Sequence, residues 1–574
     1  MTLANYCEKA VLSRIINIVT FLFIAQFFLA SPLLAAGKQP DVRIVVDVSG
    51  SMKRNDPENL RIPAVRLVTG ILPKGAKAGL WLFAEKVETL AAARKISSNT
   101  KKRLNQLAGK IHNRGLFTDI GAALEAATAD WDEADDSTQR IVILLTDGVV
   151  DISKDEATNI AERKRIQQQL FPQLKKLNAR IYTIALSDEA DGELLAQLSN
   201  STDAWFEAVK NAEQLEKVFL KIFEQSVTVP TLPLNDNKFK VDQSIDEFTA
   251  LIFRSSLDPI SLISPSGIVY EADTISSKLS WFEEKRFDLI TFRKPESGEW
   301  KIEGPVDPSN RVMVVSDLSL DVNNDELPTS LFVGDSIDIK VSLQEKGNII
   351  NRASFLKLIH FSGAVDTTST EIDDELILED DGENGDTKKA DGIFSYHFTA
   401  PKIDEEVTFE LQVSSPTFER VYRRSMRIFS SYVKYQTTVA ETVEQSHTIV
   451  ITPLTTVVDG KSLVVEGILK MPDGSELDLE FKLNDAKKLQ AEFAADVLGG
   501  TYTATLNIKG ETLAGKTFNL KGETITIEAP VFEVAAEPES EKSVEPETAS
   551  EEVTEEGEIQ QPSTDDEKAK DAES

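Results

Sequence analysis

The stretch RIVVDVSGSM, residues 43–52, ends an apolar run with Asp47, Ser49 and Ser51 at alternate positions. Carboxylate and hydroxyl oxygens are hard ligands, and three of them at one strand end suit a hard cation. Taken alone, the triplet also reads as a buried strand running into a serine-rich turn. Two further oxygen-bearing residues stand in similar settings: Thr118 in RGLFTDIGAAL, before a helical pattern, and Asp147 in RIVILLTDG, after a second apolar run. The chemistry fits Mg²⁺, or Mn²⁺ in its place. Ser49, Ser51 and Thr118 supply neutral oxygens, while Asp47 and Asp147 hold the ion's waters by hydrogen bonds. An ion held in this way keeps much of its charge and one position open to an outside carboxylate.

The elements that position these residues are legible in the hydrophobic pattern. VRIVVDV, AGLWLFA, RIVILLT and RIYTIAL are continuous apolar runs, the pattern of strands buried on both faces of a parallel sheet. Between them, Ile120, Leu124, Ala127 and Trp131 recur at helical spacing, as do Ile166, Leu170, Leu174 and Leu177, and later Leu215, Val218 and Ile222. Pro172 is expected to kink or split the second helix. Alternating strands and helices give a doubly wound α/β fold. In such a sheet, loops at the carboxyl ends of the strands converge on one crevice.

With five residues in this order and context, residues 41–226 resemble the von Willebrand factor A-type (VWA) domain, whose metal-ion-dependent adhesion site uses this constellation. The resemblance implies a Rossmann-like fold, a bound divalent ion, and a protein partner that offers an acidic residue to the metal. The wider layout resembles exported bacterial proteins in which β-sandwich modules follow such a domain. SPSGIVYEA and SGEWKIEG, around Pro265 and Trp300, carry that second likeness.

Beyond the proline-marked stretch TVPTLPLND, which reads as a linker, short alternating runs are separated by Pro-Ser-Gly, Asp-Gly and Gly-Gly turns. Three all-β, Ig-like sandwiches are expected, at 238–316, 317–430 and 431–530, forming a stalk. Residues 537–574 are rich in Glu, Asp, Pro, Ser and Thr, the composition of a disordered acidic tail. Residues 1–36 read as a signal peptide cleaved after Ala35-Ala36, or as an uncleaved N-terminal anchor and then the sole membrane contact. Either form places the chain in the periplasm or at the surface of a bacterium.

Composition excludes several classes of function. A net charge of −33 argues against nucleic acid. The single cysteine, Cys7, lies in the leader, so the rest of the chain has neither a thiolate nucleophile nor Cys-ligated zinc. The four histidines form no ligand pair, and His112, near the Thr118 loop, is given no role. GETLAGKT at 510–517 matches a phosphate-binding loop in letters only. An alternating strand pattern follows it where a helix is required, so Lys516 reads as a turn lysine and no nucleotide is expected. In EDDGENGDTKKADG, Asp380, Asn384, Gly385 and Asp391 fall at positions 1, 5, 6 and 12 of an EF-hand-like loop, with Asp386 between them. Gly382 leaves position 3 without a ligand, so Ca²⁺ is a second, incomplete candidate beside a plain acidic hairpin.

The expected function is non-enzymatic binding of a protein partner through the metal site. The alternatives are a periplasmic scaffold whose sandwiches make the main contacts, and a metal-dependent hydrolase. The hydrolase has no nucleophile–base pair in the sequence to support it.

Overall fold

The computed structural model describes residues 38–532, apart from 211–213, 257, 324–325, 368–371 and 485–487. The leader and the acidic tail lie outside the described residues. The first domain is a six-stranded sheet built from β1 (Gln39–Asp47), β2 (Lys77–Phe83), β3 (Val87–Lys95), β4 (Thr138–Thr146), β5 (Ala179–Ala185) and β6 (Phe206–Ala208). The strand order is β3-β2-β1-β4-β5-β6. β3 runs antiparallel to β2, while β2, β1, β4, β5 and β6 are mutually parallel. The sequence pattern had passed over β3 because VETLAAARK, on the sheet edge, is mostly exposed and makes no apolar run.

Helices pack on both faces of this sheet. They are α1 (Met52–Asn55), α2 (Arg61–Ile71), α3 (Ser98–Ala108), α4 (Ile120–Thr128), α5 (Glu156–Arg165), α6 (Phe171–Lys176), α7 (Gly192–Ser201) and α8 (Leu215–Ser226). Alternation along β1 divides the core between the two sheet faces. Ile44 and Val46 pack with the apolar residues of α2 and α8, while Val45 packs with those of α4, α6 and α7. The pattern read as one helix is interrupted just before Pro172. A π-helical turn, Ile166–Leu170, joins α5 to α6, and Pro172 sits in the first turn of α6, where its missing N–H costs least.

The remaining strands form sheets that are antiparallel except where Ser330–Phe332 pairs in parallel with Glu419–Phe429, and they are stacked as sandwiches. The stretch read as a linker is instead structural. Thr231–Leu232 (β7) inserts between Arg311–Ser316 and Glu419–Phe429, making one ten-stranded sheet shared by the first two sandwiches. Pro230 and Pro233 suggest a tether, yet the Pro230 carbonyl accepts from Val314 N at 2.9 Å and Thr231 Oγ1 donates to Val421 O at 2.7 Å. Two residues between prolines are enough to bridge two sheet edges.

The sandwiches do not form an extended stalk. Leu251, Phe253, Phe287, Leu289 and Met313 of the first sandwich belong to the same apolar cluster as α2 and α8 of the head. Their approach is close: a Cβ on Gly70 of α2 would stand 2.5 Å from Leu289 Cδ1. Tyr432 stacks between Phe332 of the second sandwich and Phe518 of the third, with ring centroids 3.5 and 3.9 Å away. The third sandwich then returns to the head. Lys175 Nζ donates to Leu513 O at 3.0 Å, and Asn200 Nδ2 donates to Thr456 O at 2.8 Å. Apolar area on the flank of α2 and α8 explains why the first sandwich packs on the head, since a helix of a free-standing head would present a polar outer face.

Candidate metal centre

β1 and β4 are adjacent and parallel, so Asp47 at the end of one and Asp147 just past the other meet at the same sheet edge. Asp47 is fully buried. Its Oδ1 accepts from Ser49 N at 2.8 Å, and its Oδ2 accepts from Thr146 Oγ1 at 2.6 Å. Asp147 Oδ1 accepts from Ser51 Oγ at 2.8 Å and more weakly from Ser49 Oγ at 3.4 Å, and the two serine hydroxyls are 3.0 Å apart. Thr118 enters from the loop before α4. Its backbone N–H donates to Asp151 O at 2.7 Å, and a Cβ on Gly148 would stand 3.2 Å from its hydroxyl. Asp47, Ser49, Ser51, Thr118 and Asp147 thus come together at one edge of the sheet.

Residues beyond the sequence reading complete the arrangement. Asn55 Nδ2 donates to Asp147 Oδ2 at 2.9 Å, and Ser187 Oγ donates to the Asp147 carbonyl at 2.8 Å. The Arg61 guanidinium donates to the Asp47 carbonyl at 2.6 Å while pairing with buried Asp56 at 2.5 Å. Asn55 was findable, standing four residues after Ser51 on a helical turn. Ser187 and Arg61 carry no local signal, because tertiary structure alone brings them in.

The donor set fits a divalent cation. Two buried carboxylates share the crevice, and among the described residues no lysine or arginine pairs with either of them. Every hydrogen-bond donor to them is neutral: hydroxyl, amide or backbone N–H. Buried charge without a counter-charge is costly. Burial pushes the Asp47 carboxyl up to about 6, with Asp147 nearby adding to the effect, against hydrogen bonds from Thr146 and Ser49 that favour the charged form. A hard cation would supply the missing positive charge, with the hydroxyls of Ser49, Ser51 and Thr118 as its oxygen ligands.

The other sequence motifs also find their places. Asp380, Asp386 and Asp391 bring carboxylate oxygens within 4.8 Å of one another. Their loop is a turn-rich hairpin flanked by strands, with φ of +49° at Asn384 and +92° at Gly385. Backbone N–H groups already serve all three carboxylates: Gly382 and Lys388 donate to Asp386, Asp391 and Gly392 to Asp380, and Ile393 to Asp391. GETLAGKT is the turn joining strands Gly500–Glu511 and Thr517–Ala529, and no helix follows it. Lys516 Nζ lies 2.5 Å from Asp335 of the second sandwich, so its lysine joins two modules. His112 Nδ1 accepts from Arg114 N at 3.3 Å.

Residues 41–221 match the family model of the von Willebrand factor type A domain. Among solved structures, a von Willebrand factor type A protein from Catenulispora acidiphila is similar at 15% identity, over 54% of this chain and 63% of that one, with a TM-score of 0.27. Proximal thread matrix protein 1 from the mussel byssus, with a zinc-occupied MIDAS motif, is 16% identical over 33% of this chain and 48% of its own, with a TM-score of 0.26. The PilB minor pilin from Streptococcus sanguinis is 16% identical over 33% of this chain and 62% of its own, with a TM-score of 0.27. This chain spans less than two thirds of the length of each. No curated protein matches it.

Proposed function

We propose that this chain, whose residues 41–221 form a von Willebrand factor type A domain, is an exported envelope protein that binds a protein partner through a divalent ion. One observation carries the reading: two buried carboxylates without a basic partner share a crevice with three hydroxyl-bearing residues at the carboxyl edge of a parallel sheet. When bound, Mg²⁺ or Mn²⁺ supplies a Lewis-acidic position that an outside carboxylate can complete. Ser49, Ser51 and Thr118 hold the ion without neutralising it. Asp47 and Asp147 balance its charge, and Asn55 and Thr146 fix the rotamers of these carboxylates. The apolar leader supports export.

The test is capture from an envelope extract by the immobilised full chain, with Mg²⁺, with EDTA, and with Mg²⁺ restored. Partner recovery should vanish on chelation, return with the ion, and fall at least tenfold in Thr118→Ala. A partner retained equally through all three conditions would move the binding to the sandwiches and favour the scaffold reading.

A further inference from the structure

We propose that the partner's metal-completing carboxylate stands beside an apolar side chain, and that Leu116 and Val149 select for that neighbour. The proposal rests on the metal-site reading above. Leu116 lies two residues before Thr118 and Val149 two residues after Asp147, and they are 79% and 49% exposed. Single exposed aliphatics are ordinary on protein surfaces. These two rise from the two loops that carry the site, and those loops are tied together by Thr118 N donating to Asp151 O at 2.7 Å and Asp151 N donating to Thr118 O at 3.2 Å.

Leu116 is also held rigidly in the open. Its backbone N–H donates to Glu85 Oε2 at 2.8 Å, and Gly115 N donates to Val48 O at 2.9 Å. Gly115 is pressed so tightly onto β2's end that a Cβ there would stand 2.1 Å from Ala84 Cβ. A leucine on a loop whose backbone is already tied down loses little further backbone entropy on contact, which lowers the cost of binding there. Charge points to the same occupant. Lys53, two residues after Ser51, and Arg114, four residues before Thr118, are exposed, and among the described residues neither forms an ion pair, in a chain of net charge −33. A metal bond alone would accept any carboxylate, so discrimination must come from neighbours.

The test pans a phage-displayed random peptide library on the immobilised full chain in Mn²⁺, with EDTA as the eluent. The eluted peptides should carry an Asp or Glu with an aliphatic or aromatic residue at a fixed neighbouring position. Resynthesised, such a peptide should bind the Leu116→Ser, Val149→Ser double variant about ten- to a hundredfold more weakly. Replacing its apolar residue by Ser should cost a similar factor on the wild type and little on the double variant. Mn²⁺ affinity measured by calorimetry should be the same in both proteins, which separates a lost contact from a lost site. Acidic peptides without an apolar preference, or with equal affinity for the double variant, would overturn the proposal and leave the metal reading standing. An absence of EDTA-eluted peptides would overturn the metal reading and this proposal with it.

Discussion

Asp47 and Asp147 have different neighbours, and their substitutions should differ accordingly. Asp47 is closed in by Thr146 and Ser49, so Asp47→Ala leaves a buried hydroxyl and an N–H without their acceptor. Asp147 faces the crevice, where Ser51 and Asn55 can turn to water. Each change should lower Mn²⁺ affinity more than tenfold by calorimetry, with circular dichroism unchanged. Asp47→Ala should also cost about 1 to 3 kcal/mol of stability, and Asp147→Ala less. Unaltered affinity in both variants would remove the ion from this site. The five oxygen-bearing residues were legible because strand ends and helix starts are marked by local pattern. Arg61 and Ser187 were not, because their contacts come from the fold alone.

Among the elements, α8 carries a charge out of place. Glu216 is 2% exposed in its first turn, and among the described residues its oxygens accept no hydrogen bond. Arg286 of the first sandwich comes within 3.0 Å without that alignment. Burial pushes the carboxyl from 4.5 to about 7, and Asp56 and Glu284 add to the rise against Arg286. The folded state therefore binds a proton that the unfolded state releases between about 4.5 and 7. Stability from the neutral group is complete below that window and is lost as pH rises through it. Glu216→Gln keeps the shape and removes the titration. In urea unfolding the variant should exceed the wild type at pH 8 by on the order of 2 to 3 kcal/mol, and the two should converge as pH falls below about 4.5. A variant weaker at pH 8 would show the Arg286 pair to be net stabilising. Neither this contact nor β7 could be read from the chain, since both depend on which sheet edges meet. The apolar runs of β1, β2, β4 and β5 could be, because burial on two faces leaves no polar positions.

At the scale of the molecule, the three sandwiches differ in how they hold the head. The first shares its apolar cluster through Phe287, Leu289 and Met313, whereas the contacts of Lys175, Gln197 and Asn200 with the third are polar hydrogen bonds at the surface. Burying apolar area contributes far more than surface hydrogen bonds exchanged with water. The head and first sandwich should therefore unfold as one cooperative unit, with the third free to separate earlier. Metal binding tests this directly, because an ion that binds only the folded head stabilises everything that must unfold with it, by about 2.7 kcal/mol at a hundred times Kd. Hydrogen exchange followed by mass spectrometry on the full chain, with Mg²⁺ and with EDTA, gives the readout by segment. Peptides spanning Phe287–Arg293 should gain protection together with those of β1 and β4, although no residue there reaches the crevice. Peptides spanning Gly500–Glu511 should gain little. Protection confined to the head would mean that the shared cluster does not couple the two modules. Equal protection in all three sandwiches would mean that the surface hydrogen bonds hold as firmly as the apolar seam.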